Sequence, residues 1–242
     1  ISFQLRMLVG ILIGDNLDGM ARRIRPYEKN PGETDRVHRH ALERISNLLS
    51  RGIGGVFREY RRSVEAFNKI RLKDIPRKPR VFVIGEILIN YHPSSNAHIE
   101  SYLEKNGMEV LMPPMVDVFK KDASTVRESM RRFYVRFPLP EALQTVLTDT
   151  FIDFGINYIE RLSRGFRFFE PKDRYDDLAG NVEGLVDKVF NSGKGWLIPA
   201  DIIEHTRRGV NSFIIVQPFG CLPNHITGRG IVKSVKKQYP HI

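Results

Sequence analysis

The stretch RVFVIGEILINYHPSSNAHIESYLEKNGMEVLMPP, residues 80–114, decides the fold. It opens on Arg80 to Ile84, a short uninterrupted apolar run rich in Val and Ile, which is the pattern of a parallel strand buried on both faces. A loop of Gly85, Glu86, Asn90, Tyr91, Pro93, Ser94, Ser95 and Asn96 follows. The next residues predict a helix over about 96–106 with Ile99, Tyr102 and Leu103 turned inward. Gly107 supplies a helix stop, Glu109 to Met112 reads as a second strand, and Pro113 and Pro114 end the segment. Strand, helix and strand in that order make a βαβ unit, so the fold class is α/β with a parallel sheet.

A second stretch near the other end, FIIVQPFGCLPNHITGRGI at 213–231, supplies the partner strand. Phe213, Ile214, Ile215 and Val216 read as a buried strand, and Pro218, Gly220, Cys221 and Pro223 as the loop after it. A Gly-rich lead-in to a short basic helix comes next. Ligands of open α/β sheets bind just beyond the carboxyl ends of the strands, where helix N-termini offer free N–H groups to anions. Cys221 falls at such a place.

Outward from these two strands the chain is mainly helical. Residues 3–25 have the apolar spacing of a helix that Pro26 stops. The turn-rich RPYEKNPGETDR (25–36) follows, with Thr34 or Asp35 as the expected cap of the next helix. From about Arg36 to Leu72 apolar residues recur at steps of three and four, with a break expected at Gly52, Gly54 and Gly55. Beyond the βαβ unit, helices are expected at about 124–137 and 140–164, with Pro138 and Pro140 in the joint. Leu178, Val182, Leu185, Val186 and Val189 predict another, and Pro199 opens one that runs to about Arg208. The organisation read from this is a mainly helical N-terminal segment, 1–78, and an α/β domain, 79–242, with a helical insertion at about 120–170.

The chain has 242 residues, 41% hydrophobic and 27% charged, as a folded globular protein requires. Its formal net charge of +10 raises the question of nucleic acid. The basic clusters, at 58–62, 69–80 and 233–237, lie on amphipathic segments among Glu and Asp and carry no nucleic-acid motif, which argues for solvated faces or a partner dock. The one cysteine excludes an internal disulfide and points to a reducing, cytoplasmic setting. Near the start the uninterrupted apolar run covers only Met7 to Ile13, too short to span a bilayer, so no membrane partner is expected. The chain begins on Ile and stops just after Pro240, as a piece of a longer polypeptide would.

Candidate chemistry concentrates in the loops after the strands. Ser94, Ser95 or Asn96 suits a helix cap, and the same terminus suits a carboxylate or phosphate with Tyr91 or Asn90 beside it. Cys221 reads three ways: a small buried hydrophobe, a ligand to metal, or a nucleophile with His225 as its base. Gly220 before it, prolines on both sides and the helix terminus after it favour a charged sulfur. A zinc site needs three or four ligands, and no other cysteine is present. The segment ITGRGI lacks a strand directly before its first Gly and is not a dinucleotide fingerprint.

Three stretches together resemble the activase-related proteins of the 2-hydroxyacyl-CoA dehydratase system, the 2-hydroxyglutaryl-CoA dehydratase activator family. They are RPYEKNPGETDR (25–36), VIGEILINYHPSSNAHIESYLEKNGMEVLMPP (83–114) and VQPFGCLPNHITGRGIVKSVKKQYP (216–240). In that family an ATPase domain of the acetate-kinase and heat-shock chaperone superfamily precedes an extension, to which this chain is similar. The resemblance implies a Rossmann-like parallel sheet flanked by helices, similar to the dehydratase subunits whose cysteines hold a 4Fe–4S cluster. It implies Cys221 as a cluster ligand, with Gly220, Tyr91, Ser94 and Asn96 in the walls of the same cleft. Dehydratase subunits, or other domains of the same polypeptide, are the implied partners, in anaerobic electron transfer. One cysteine does not hold a cubane, so the remaining ligands are expected from elsewhere, as is any ATPase motif.

Overall fold

The computed structural model describes residues 3–133, 139–171, 175–190 and 192–242. The chain packs as two compact units. The first comprises residues 1–77, 114–116 and 147–171, and the second 78–113, 117–146 and 172–242. Residues 147–171, which the sequence puts in an insertion, thus pack with the N-terminal helices.

In the first unit α1 (Phe3–Ile24), α2 (Glu33–Arg51) and α3 (Val56–Lys69) surround a core with the second half of α7 (Leu139–Ser163). Leu12, Ile13, Leu17, Ile45, Tyr60, Phe67, Ile152 and Ile159 fill it, each at most 5% exposed. The glycines at 52–55 do break the long helical region. The cap of α2 is neither Thr34 nor Asp35: the Glu28 carboxylate accepts from Gly32 N at 2.6 Å and Thr34 N at 2.7 Å. Thr34 is buried inside the first turn. The backbone of Tyr27 and Lys29 is tied to Lys73 and Arg71, and the Arg25 guanidinium pairs with Asp35 at 2.9 Å. The RPYEKNPGETDR stretch therefore serves as a clamp at the start of α2. From α1, Asp15 accepts the N–H groups of Met115 and Val116, both at 3.0 Å, at the start of α6 (Val116–Phe133).

The second unit is built on a parallel sheet of β1 (Arg80–Gly85), β2 (Glu109–Leu111) and β3 (Ser212–Val216) in the order β2-β1-β3. The central strand is buried on both faces because its alternating side chains meet helices on either side. Phe82 and Ile84 pack against Ile198, Ile202 and Ile203 of α9 (Leu197–Arg207) and Val235 of α10 (Val232–Gln238). Val81 and Val83 pack with Val110 and with Leu103 of α5 (Ile99–Lys105). The βαβ unit at 80–114 stands as read.

Several local readings change. The strand at 213–216 is half-buried rather than buried, because it pairs on one side only among the described residues. The loop after β1 contains a short helix, α4 (Ile87–Tyr91), which Glu86 caps by accepting Ile89 N at 2.9 Å. Helix α5 begins at Ile99, later than expected, because Ala97 and His98 both take φ of 55°. Helix α6 begins eight residues earlier than the predicted 124, and α7 matches the predicted 140–164 to within one residue at each end, while Pro138 and the end of the predicted 124–137 helix lie outside the described residues. The helix expected through Val189 stops at Gly180 (α8, Tyr175–Gly180), and turns with Gly184 at φ of 75° carry the chain on. Val182 is buried from a turn instead. Among the described residues no helix is long and apolar enough to cross a membrane.

Candidate functional site

The strand order fixes where the loops part. The chain leaves β1 through α4 and α5 to β2 on one side, whereas β3 lies on the other side of β1. Loops from the carboxyl ends of β1 and β3 therefore diverge, which in open parallel sheets marks the ligand position. Here Gly85 and Val216 face each other in register, and Glu86 N donates to Val216 O at 2.9 Å. A Cβ on Gly85 would lie 1.8 Å from that oxygen, so glycine alone permits the strands to meet there.

Around this end the loops are tied together by named side chains. The Tyr91 hydroxyl donates to Pro113 O at 2.9 Å, joining the loop after β1 to the loop after β2. Asn96 donates to Ile89 O at 2.8 Å and accepts from Ile99 N at 3.2 Å, so it is spent on holding its own loop and starting α5. Ser94 is exposed on a 3-10 turn. Gly220 is exposed with φ of 75°, and Cys221 is half-buried beside it. After β3 the chain forms a π-helix at Asn224–Gly230, a conformation that recurs at functional sites, and then α10.

The surroundings of Cys221 decide among its readings. Asn224 Nδ2 donates to its sulfur at 3.2 Å. The His225 ring turns elsewhere: its Nδ1 lies 2.8 Å from the carbonyl oxygen of Cys221, and its Nε2 lies 3.4 Å from the Gln217 amide. His225 thus holds the loop backbone, and the nucleophile-and-base pair is not assembled. Half-exposure also sets aside the buried-filler reading.

Sequence reasoning missed a buried charged pair at this end. Lys194 is 2% exposed and Asp201 3%, on either side of the apolar turn that starts α9. Neither Lys194 Nζ nor Asp201 Oδ2 has a hydrogen-bond partner among the described residues, and both amide atoms of the 1%-exposed Asn90 are likewise unpartnered. The Lys194 ammonium sits 5.0 Å from the centroid of the Tyr91 ring. Burial depresses the Lys194 pKa, opposed by the carboxylates of Asp201, Asp117 and Glu86. Burial and Asp117 push Asp201 well above the ordinary carboxylate range, against the pull of Lys194. The signal for this group was an isolated Lys and an isolated Asp bracketing the near-continuous apolar run of GKGWLIPADII.

This chain offers one sulfur to a cluster. Cys221 is its only cysteine, a cubane takes four thiolates, and among the described residues no three His, Cys, Asp or Glu side chains are grouped to hold a metal ion. No family model, no curated protein and no solved structure matches the chain.

Proposed function

We propose that this chain is part of an activase-related protein of the 2-hydroxyacyl-CoA dehydratase system, with a Rossmann-like domain that works in iron–sulfur electron transfer or in docking to a dehydratase in the cytoplasm. In this reading Cys221 is one ligand of a 4Fe–4S cluster whose other ligands come from elsewhere. The supporting observation is the placement of two of the resembling stretches, 83–114 and 216–240. The first begins inside β1 and the second at the last residue of the adjacent parallel strand β3, so their loops leave the sheet at one end, with Cys221 half-exposed in the second loop and an amide N–H on its sulfur. The test is anaerobic reconstitution of the polypeptide that carries this chain, wild type against Cys221→Ser, with iron counted and spectra recorded. Loss of iron in the variant is expected, and unchanged iron content removes the ligand role.

A second reading, a binding module for an acyl-CoA or another phosphorylated ligand, is favoured by the unpartnered buried groups of Asn90, Lys194 and Asp201 at the same end of the sheet. Thermal stabilisation by CoA esters without any effect of iron selects it.

A further inference from the structure

We propose that the outward face of α7 is a self-complementary seam on which a second copy of this chain docks antiparallel, about a two-fold axis between Phe151 and Phe154. A helix that is apolar on opposite faces is ordinarily covered on both. The inward face of α7 carries Ile152, Ile156 and Ile159 into the core of the first unit, and a Cβ on Gly155 would lie 2.7 Å from Leu12 Cδ1 of α1. The outward face carries Leu147, Phe151 and Phe154, which are 60%, 46% and 67% exposed, and the half-buried Tyr158. Phe154 stacks on Tyr158 at 6.3 Å between centroids, and Tyr158 meets Phe57 of α3 edge-on at 5.0 Å. The aromatic row is thus braced from within the unit while its outer side faces water. Contiguous exposed apolar surface of this kind marks an interaction site, whereas scattered apolar residues do not.

Two features select a second copy as the occupant. The ridge Leu147, Phe151, Phe154, Tyr158 advances by four, three and four residues, the alternation that keeps one seam turned toward a partner helix. That spacing reads the same in both directions, so an antiparallel copy sets Phe151 against the partner's Phe154 and Leu147 against the partner's Tyr158. The other feature is charge. Copies of a chain with net charge +10 repel at long range, and a two-fold interface sets the same patch against itself, so a charged face would meet its own sign. The exposed residues of α7 from 147 to 158 are Leu147, Thr148, Thr150, Phe151, Phe154 and Asn157, none of them charged. Asp149 is buried and Asp153 half-buried. Positions flanking a helical seam ordinarily choose the partner by charge, and here they hold Thr148, Thr150 and Asn157. A helix lying on a membrane surface carries Lys and Arg beside its apolar face, which this stretch lacks.

The test is sedimentation velocity of the chain from about 5 to about 500 µM, wild type against Phe154→Glu, with circular dichroism to establish that the variant folds. The substitution changes a side chain that is 67% exposed and sets a carboxylate against the partner's Phe151 on each side of the axis. A seam just over three turns long lies at the small end of specific interfaces. Wild type is therefore expected to dimerise with a dissociation constant on the order of 10–100 µM, and Phe154→Glu at least tenfold more weakly. Register is tested by mixing Leu147→Cys with Tyr158→Cys, each in the Cys221→Ser background that removes the chain's only cysteine. Disulfide cross-linking is expected in the mixture and not in either variant alone, because the antiparallel seam brings position 147 of one copy to position 158 of the other. A monomer at every concentration overturns the proposal, and so does a dimer that Phe154→Glu leaves unweakened. If Phe154→Glu does not fold, cross-linking decides: a mixture that cross-links no more than the single variants overturns the seam.

Discussion

Gly85→Ala tests the junction on which the strand-end geometry depends. The added Cβ would lie 1.8 Å from Val216 O, 2.7 Å from its carbonyl carbon and 2.8 Å from its nitrogen, all backbone atoms of the adjacent strand. No side-chain rotation relieves such a contact, so β3 must move away or β1 must twist. Moving β3 breaks the Glu86 N to Val216 O hydrogen bond, worth about 1 kcal/mol. Overpacking a buried position adds about 1–3 kcal/mol, and holding an L-residue at φ of 158° about 1–3 kcal/mol more. The expected destabilisation is about 3–7 kcal/mol. Urea unfolding followed by Trp196, the chain's only tryptophan and a member of the same compact unit, reports it. With m of about 2 kcal/mol per molar, the midpoint should fall by about 1.5–3.5 M. Gly107→Ala is the control, because Gly107 has φ of 83° but nothing within 4 Å of its would-be Cβ. Conformation alone should lose it about 1–2 kcal/mol. Equal midpoints for the two variants would refute the rigid contact between Gly85 and Val216.

In the first unit, burial raises the Tyr60 phenol far above its ordinary value of 10.0, with the Ser163 hydrogen bond acting the other way. The folded protein then keeps a proton that the unfolded chain releases above about pH 10, so stability falls as pH rises past that point. In an alkaline titration at 295 nm one of the eight tyrosines should stay protonated until the unit unfolds; ionisation of all eight with native circular dichroism intact contradicts this. Glu28→Ala deprives Gly32 N and Thr34 N of their acceptor and should destabilise by about 1–2 kcal/mol. Asp35→Ala, which removes only a half-exposed ion pair with Arg25, should change stability by less than about 1 kcal/mol, and reversal of this order in urea melts removes Glu28 as the cap.

What the sequence disclosed was what repeats along the chain. β1 was legible because both its faces are covered, which removes polar residues from five consecutive positions. The long amphipathic helices were legible for the same reason at another period. What escaped were contacts between residues far apart in sequence. Asp15 serves the start of α6 a hundred residues later, and no local pattern announces it. Helix α4, five residues long, is shorter than any window in which a 3.6-residue period emerges, and its cap looks like any loop glutamate. The stretch after Gly180 has helical spacing in its valines, but Gly184 turns the backbone and Val182 reaches the core regardless. At the site, Cys221 drew the eye by its rarity. Lys194 and Asp201 did not, because a charged residue shows its burial only when its neighbours in space are known.

The two sulfur and ammonium loci make separable demands on any account of this protein. Cys221 lies in the loop after β3, half-exposed, and the exposed side chains of Phe219 and Leu222 flank it. A group bound to its sulfur would meet a second macromolecule without passing through the protein interior, as ligation shared between chains or domains requires. Lys194 lies inward, under the face of Tyr91 and among three carboxylates, where a second protein surface does not reach. The turn that carries it still abuts the Cys221 loop, since a Cβ on Gly193 would be 3.6 Å from Pro223 Cβ. A ligand of the second reading that seats beside Lys194 should alter how readily Cys221 reacts with a thiol reagent, and a labelling rate unchanged by a saturating CoA ester would show the two loci to be independent.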